Sequence, residues 1–538
     1  MSANDLASGV PQVDIRALAG ELVSGLMLQP WGEVSASVYE TGRVVALAPW
    51  LAGDAGRVAY LLARQRPDGA WGGPEGYGLV PTLSATEALL SRLRHTGDAS
   101  LAGPVKQGLL ALSHVLSAPG GLALPDTPAV ELIVPSLIAL IEDHLREAPD
   151  LGLPAVRLDL PPGMDTAALA RLRGALSSGA GVPQKLLHAL EVVGEAACHA
   201  PGLIPTEIGT IGASPAAAAA WLGGRAGWGD RSAHPRHPLV HRHLEAVARR
   251  FGGPVPVGLP ITFFERSWVL SWLARAGVPF DAPPEMVADL CMTIGPEGTA
   301  AGAGLPADAD TTSVVLYALA LLGVRVEPES LLAYESETCF HTWPGEQGFS
   351  TSVNAHVLDA FGAYVERHPE AADRYKGRVA KLARLLLDHQ EADGSWSDRW
   401  HASPYYATVS CALALHDHGG ADSAAAVRRA VRWVLGTQRE DGSWGRWAGT
   451  REETAYALQI LLMTDAGEDE RRAAAAARGY LFLLNSAGME EPAMWHDKDL
   501  YLPGAVVRAA VLASCHIAQR DPAVMGAFQR SHGPVRKQ

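Results

Sequence analysis

Gln438-Arg-Glu-Asp-Gly-Ser-Trp444 is the stretch that decides the fold. The same spacing returns as Gln390-Glu-Ala-Asp-Gly-Ser-Trp396 and as Gln65-Arg-Pro-Asp-Gly-Ala-Trp71, so the chain carries QxxDGxW three times. Asp-Gly favours a tight turn whose second residue takes a positive φ. The Gln amide can bond the turn backbone, and the Trp can cover the end of a helix. None of these residues needs to be catalytic, and they read as staples between helices. A turn repeated at an interval suited to one helical hairpin predicts stacked helical pairs, an all-α chain built as α/α-barrels.

Outward from the repeats, Ala-, Leu- and Arg-rich segments run at helical period, for example 425–436 and 473–484, and strand signals are weak. One repeat lies near the start and two lie late. The long middle has its own Pro- and Gly-rich breaks, at 151–162 and 223–238. It reads as a second helical domain, 56–275, inserted into a first formed by 1–55 and 276–538.

The 538 residues suffice for two domains. With 48% hydrophobic and 19% charged residues, the chain reads as globular, not disordered. A net charge of −14 without a basic block argues against nucleic-acid binding. An anionic substrate must then meet a local basic patch or a metal ion. Five scattered Cys without a CxxC point to reduced thiols and a cytoplasmic protein. The start lacks a signal-peptide pattern, and no apolar run is long enough for a membrane span. The sequence leaves a homodimer open.

The sharpest chemical motif is Leu305-Pro-Ala-Asp308-Ala-Asp310-Thr311-Thr312-Ser313, between a Gly-rich lead-in (295–304) and an apolar helix (314–322). Two Asp before Thr and Ser fit a helix N-cap, and capping alone would explain them. They also fit a rarer task. Protonating an alkene takes a strong acid in a dry pocket, with one carboxyl held neutral and its neighbour stabilising the charge left behind. On that reading Asp310 is the acid and Asp308 its tuning partner. Thr311 and Thr312 hydrogen-bond the carboxyl and fix which oxygen carries the proton.

QxxDGxW repeats with a DxD-Thr motif resemble the class II terpene cyclases, especially the bacterial diterpene cyclases of the copalyl diphosphate synthase type. The family motif is DxDD with the middle Asp as acid, which falls on Asp310; Thr311 stands where the last Asp would be. Further segments are similar in the same order. Trp31-Gly-Glu-Val-Ser-Ala-Ser-Val-Tyr-Glu-Thr41 looks like the family's opening SxSAYDTAW. Glu131-Leu-Ile-Val-Pro-Ser136 resembles FExxFPS, and Leu186-Leu-His188-Ala-Leu-Glu191 resembles LLHSLE. Gly212-Ala-Ser-Pro215 matches the start of its SPS segment. Trp400-His-Ala-Ser-Pro-Tyr-Tyr-Ala-Thr408 and Trp495-His-Asp-Lys-Asp-Leu-Tyr501 are similar to bacterial members.

The resemblance implies a fold of two α/α-barrel domains with the active site in the cleft between them. It puts the histidine of a deprotonating His–Asn pair at His188, while the Asn position, in a segment like GGVPNVYP, holds Val257. It also implies a diphosphate held by basic residues and Mg²⁺. Asp126 and Glu131, a D-x4-E pair, are the expected Mg²⁺ ligands, since Mg²⁺ keeps several waters and needs few carboxylates. Arg399, Arg451 and Lys498 are candidates for phosphate, and a solvated surface role is the alternative for each. Trp343, Trp400, Tyr405 and Tyr406 are candidates for a cation-stabilising wall, with core packing as the alternative. No DDxxD motif is present, so the product should keep its diphosphate.

The favoured function is therefore an intramolecular isomerase that protonates geranylgeranyl diphosphate and closes two rings. Farnesyl diphosphate giving a drimane skeleton, a rearranged halimane or clerodane product, and a non-catalytic prenyl-binding module are the alternatives.

Overall fold

The computed structural model describes residues 13–118, 122–200, 202–224, 234–346, 348–465, 467 and 469–531. Part of the expected break at 223–238, residues 225–233, lies outside them. The regular structure of the described chain is helical apart from two short antiparallel ladders and some isolated bridges. The ladders join β1 (Thr299–Ala300) to β2 (Ala307–Asp308) and β3 (Trp495–His496) to β4 (Leu500–Tyr501).

The helices fall into two rings. In the first, α2 (Val38–Leu47) packs on α4 (Leu79–Thr96), α4 on α6 (Val130–Glu147), and α6 on a 3-10 segment (Gln184–Val193). That segment packs on α9 (Pro215–Leu222), and α9 returns to α2. Outside lie α3 (Asp54–Arg64), α5 (Ala102–Leu116), α7 (Ala167–Ser177), α8 (Ala196–His199) and α10 (His237–Arg250). The second ring runs α11 (Thr262–Arg275), α13 (Ala309–Leu321), α14 (Thr351–Arg367), α16 (Pro404–His418), α18 (Arg451–Leu462) and α20 (Gly504–Arg520), which closes on α11. Its outer layer holds α12 (Pro284–Thr293), α15 (Ala372–Asp388), α17 (Ala424–Thr437), α19 (Asp469–Asn485) and α21 (Pro522–Ser531). From the N-terminus, α1 (Ile15–Leu28) joins that layer against α11 and α20.

Composition explains the layers. Inner helices are buried nearly all round: α13 reads ADTTSVVLYALAL and α9 reads PAAAAAWL. Small Ala, Ser and Thr let neighbours approach on every side. Outer helices keep one apolar stripe, as in α15, whose buried residues are Tyr375, Leu382, Ala383 and Leu386. Inner helices start on hydroxyl or acid caps: Ser37, Ser214, Asp308, Ser350, Ser403 and Thr450 each accept from a backbone N–H two or three residues on.

The three QxxDGxW turns have one geometry. In the last, Gln438 Nε2 donates to Gly442 O (2.9 Å) and to Ala475 O of the next outer helix (2.9 Å). Trp444 Nε1 donates back to Val434 O (2.7 Å), and Trp444 N donates forward to Thr454 Oγ1 (3.0 Å). Gln65 and Trp71 repeat this with Gly69, Pro104, Leu61 and Thr82. Gln390 and Trp396 repeat it with Gly394, Ala426, Leu386 and Thr408. The glycine is required: at φ 88° a Cβ on Gly442 would lie 2.7 Å from Arg478 O.

Packing moves two helices across the expected domain limits. α2 belongs to the ring of α4 and α9 although it lies within 1–55, and α11 belongs to the ring of α13 and α20 although it lies within 56–275. The chain changes rings near 29–37 and 251–261. The turn repeats mark hairpins and carry no signal for those crossings. Among the described residues no helix is long and apolar enough to cross a membrane.

Candidate active site

The acid pair sits where a short hairpin feeds α13. Asp308 ends β2, pairs across the ladder with Thr299, and caps α13. Its Oδ1 accepts from Thr311 N (2.6 Å) and its Oδ2 from Thr311 Oγ1 (3.0 Å). Thr312 Oγ1 donates to Asp308 O (2.5 Å) and accepts from Thr299 N (2.8 Å). Gly298, at φ 92°, is needed here, because a Cβ would meet Thr312 Oγ1 at 2.2 Å. Both threonines therefore hold Asp308 and its loop. Neither makes the bond to the Asp310 carboxyl that the sequence suggested, because the cap geometry turns them towards residue 308. Burial, and then the charge of Asp310, push the Asp308 carboxyl up to about 7. That upward shift falls on the expected tuning partner.

Asp310 stands in the first turn of α13 with 17% of its side chain exposed. Its partner comes from α14: His356 Nδ1 lies 2.6 Å from Asp310 Oδ1. Burial pushes the His356 imidazole down, but the Asp310 charge and this hydrogen bond, followed by Asp359 and Asp398, outweigh it and raise its pKa. The helix N-terminus adds positive potential at the same carboxyl.

Aromatic rings surround this contact. Trp268 meets His356 edge-on at 5.5 Å, and its Nε1 donates to Tyr406 OH (3.1 Å). Tyr406 packs on Trp495 at 4.7 Å, and Trp495 on Phe264 at 5.5 Å. A hollow of about 30 Å³ adjoins His356, Trp268 and Asp359, room for a single water. A larger hollow of about 470 Å³ opens between the rings, lined by residues that include Tyr60, Arg66, Trp447 and Leu500.

The segment Trp495–Tyr501 spans both rings. Lys498 is fully buried and pairs with Glu40 and with Glu191 (2.9 Å). It also donates to Ser214 Oγ (3.0 Å) and to His188 O (2.6 Å). Asp497 Oδ1 lies 2.8 Å from His188 Nε2, while His188 Nδ1 donates to Gly212 O (2.6 Å). Asp499 Oδ2 accepts from Ser37 Oγ, Val38 N and Tyr39 N at the start of α2. Burial pushes Glu40 up to about 7, against the pull of Lys498. Lys498 is raised, because Glu191, Glu40 and Asp497 outweigh the effect of burial. His188 is raised too, with Asp497 outweighing burial.

This cluster changes two expectations. Lys498 is consumed by internal carboxylates and does not face a phosphate. His188 has both ring nitrogens engaged, Nδ1 donating to the Gly212 carbonyl and Nε2 held against the Asp497 carboxylate. The Val257 loop does abut it: a Cβ on Gly258 would lie 3.4 Å from His188 Cε1.

Arg399 organises a third group. It pairs with Glu346 (2.6 Å) and with Asp126 (3.1 Å), and its guanidinium lies 5.1 Å from the Trp400 ring. Trp400 meets Trp343 edge-on at 5.6 Å. Arg399 Nε, Trp343 Nε1, Trp400 Nε1 and Glu346 Oε2 are buried without a hydrogen-bond partner. Asp126 is two-thirds exposed, and Glu131 is exposed on the first turn of α6. The second carboxylate beside Arg399 is thus Glu346. Arg451 lies 3.8 Å from Glu491 in a different hollow, between α1 and α20. Tyr405 packs on Trp433 of the outer layer at 4.5 Å, away from the wall that Tyr406 joins. Asp359, Asp417 and His418 converge within 4.8 Å, but Arg275 already bonds both carboxylates (2.9 and 2.6 Å) and takes the place of a cation.

Residues 348–505 match the squalene-hopene cyclase C-terminal domain family. The chain is 42% identical over 513 residues to the ent-copalyl diphosphate synthase of Streptomyces sp. strain KO-3988, covering 94% of this chain and 96% of that one. It is 41% identical to the labda-7,13-dienyl diphosphate synthase of Streptomyces clavuligerus, with 92% of each chain covered. The solved ent-copalyl diphosphate synthase from Streptomyces platensis superimposes with a TM-score of 0.86 at 43% identity, over 94% of this chain and 99% of that one.

The chain is a class II diterpene cyclase.

As in the sequence reading, the cyclase is an isomerase-type enzyme of all-α, α/α architecture. What that reading missed is His356, 46 residues beyond the acid in Ser352-Val-Asn-Ala-His356. Nothing local marks it; only the packing of α14 on α13 brings it to Asp310. Asp497, Glu40 and Glu191 were missed for the same reason. The Trp495–Tyr501 segment was flagged, but for phosphate.

Proposed function

We propose that the cyclase converts geranylgeranyl diphosphate into a bicyclic, labdane-type diphosphate, with Asp310 as the proton donor. The observation that carries this is the 2.6 Å contact between Asp310 Oδ1 and His356 Nδ1, beside Asp308 and against the Trp268–Tyr406–Trp495 wall. With one proton shared by the two carboxyls and His356 as imidazolium, the trio has no net charge, the state a dry pocket favours. Asp310 gives the proton on its second oxygen to the terminal alkene. The imidazolium N–H and the α13 N-terminus then stabilise the carboxylate that remains. The aromatic faces stabilise the cation as the rings close, and the bicyclic cation then loses one proton to leave a carbon–carbon double bond, so that product and substrate are isomers.

The relatives are each named for a diphosphate product, which supports retention of that group. We place the diphosphate at Arg399. Three buried N–H groups there have no partner, a donor set suited to an anion. Asp126, two-thirds exposed beside the guanidinium, would exchange that pairing for a hydrated Mg²⁺ arriving with the diphosphate, whose charge the ion would neutralise, while Glu346 stays on Arg399. We take the two rings as the two domains, with the Trp495–Tyr501 segment as the seam. Five free thiols, four of them buried, suit a reducing compartment such as the cytoplasm.

Incubation with geranylgeranyl or farnesyl diphosphate and Mg²⁺, followed by dephosphorylation and mass spectrometry, tests the reading. A bicyclic C20 alcohol is expected. A C15 product alone, or tight binding of both substrates without conversion, contradicts it.

A further inference from the structure

Behind the aromatic wall lies a carboxylate that the mechanism above does not use. Glu452, in the first turn of α18, is fully buried. A single oxygen, Oε1, accepts from Trp495 Nε1 (2.8 Å), from Tyr456 OH (2.9 Å) and from His401 Nε2 (3.2 Å). The His401 tautomer follows from the bonds: Nδ1 accepts from Ser403 N (2.9 Å), so Nε2 carries the hydrogen. All three donors are ring groups, and each ring touches Tyr406. His401 stacks on it at 4.8 Å and 22°, Trp495 lies at 4.7 Å and Tyr456 at 5.6 Å. Tyr406 in turn neighbours His356 at 6.2 Å. The second oxygen, Oε2, is buried without a partner, so the network is anchored entirely on the oxygen that faces the rings.

Resting on the cyclase reading proposed above, we infer that Glu452 is a positioning residue that enriches the aromatic wall in electrons, chiefly through the Trp495 N–H, and so stabilises the carbocation between the two ring closures. A carboxylate exposed to the cation would capture it or take its proton. Held behind an indole, the same charge can act only through the ring. A hydrogen bond from an indole N–H to a carboxylate shifts electron density into the π system, and the attraction of a cation to the ring face grows with that density. The low dielectric of a fully buried network preserves the effect. The bonds also fix the Trp495, Tyr456 and His401 planes, so that one group sets both the orientation and the potential of the wall.

The test is a double-mutant cycle on the full-length enzyme with geranylgeranyl diphosphate and Mg²⁺, reading kcat, KM and the product profile. Glu452→Gln keeps the shape and removes the charge. It should lower kcat about tenfold, leave KM within about twofold, and raise the share of products quenched after one ring. Trp495→Phe keeps a ring and removes the N–H, and should shift the profile the same way. The double variant should be no worse than the more damaged single variant. A wild-type kcat and profile in Glu452→Gln overturns the inference, and so do losses that multiply in the double variant. Should Glu452→Gln not fold, Trp495→Phe decides alone: a wild-type profile overturns the inference. A wild-type enzyme that makes no bicyclic product overturns the underlying cyclase reading, a result distinct from all of these.

Discussion

The QxxDGxW turns and the seam at Trp495–Tyr501 are both dense in hydrogen bonds, yet they are built in opposite ways. Each turn closes on itself within about one hairpin. Its Gln, Gly and Trp bond backbone groups of the helices they join, and the same bonds recur in all three copies. The seam gathers charged side chains from distant parts of the chain: Lys498 meets Glu40 and Glu191, and Asp497 meets His188. The charges in the turns, such as Asp68 and Arg66, lie near the surface, whereas the seam holds buried charges that are tolerable only together. One kind of region writes its structure into a local pattern; the other exists only after the rings have packed.

The largest expected effect follows from that contrast. Lys498→Met leaves Glu40 and Glu191 buried without their cation and should cost about 3–5 kcal/mol in urea unfolding. A loss below about 1 kcal/mol would mean that the seam is not an electrostatic unit. A turn should be cheaper to break. Gln438→Leu strips the bonds to Gly442 O and Ala475 O and should cost about 1–3 kcal/mol. Gln390→Leu should match it closely, and the two losses should add, because the sites share no partner. Unequal or non-additive losses would show that the copies are not equivalent staples.

The smallest effect is a difference in titration. Burial raises Glu40 to about 7 and Asp499 to about 6, so across pH 5–7 the folded seam holds protons that the unfolded chain has lost. Unfolding then releases protons, and stability falls as pH rises through that window. In the turns, Asp68 and Asp441 are lowered by hydrogen bonds, from the Arg66 and Ser443 side chains respectively. Their contribution is present above the usual Asp value and is lost as pH falls through the folded one. Glu40→Gln should therefore flatten the decline of the urea midpoint between pH 5 and 7 and leave the acid limb unchanged. An unaltered slope would take Glu40 out of the account.

The same contrast explains what could be read in the sequence. The repeats gave the all-α class because a turn fixed by Asp-Gly and Trp is a local matter. Asp308 and Asp310 were legible because both lie on one short loop before an apolar helix. His356 was not, since its role depends on which helix packs beside α13. Tyr405 and Tyr406 are adjacent, but a helix turns about 100° between them, so one faces the outer layer and the other the wall. Lys498 reads as a phosphate candidate because nothing near it in sequence announces its partners Glu40 and Glu191.

The central claim is that Asp310 supplies the proton. Asp310→Asn keeps the size and the first turn of α13 but has no acidic hydrogen to give. Turnover of geranylgeranyl diphosphate by this variant, measured as the bicyclic product beside a thermal unfolding curve, is the most direct test. The account predicts no detectable product from a protein that unfolds at the wild-type temperature. Product formed at the wild-type rate would contradict it.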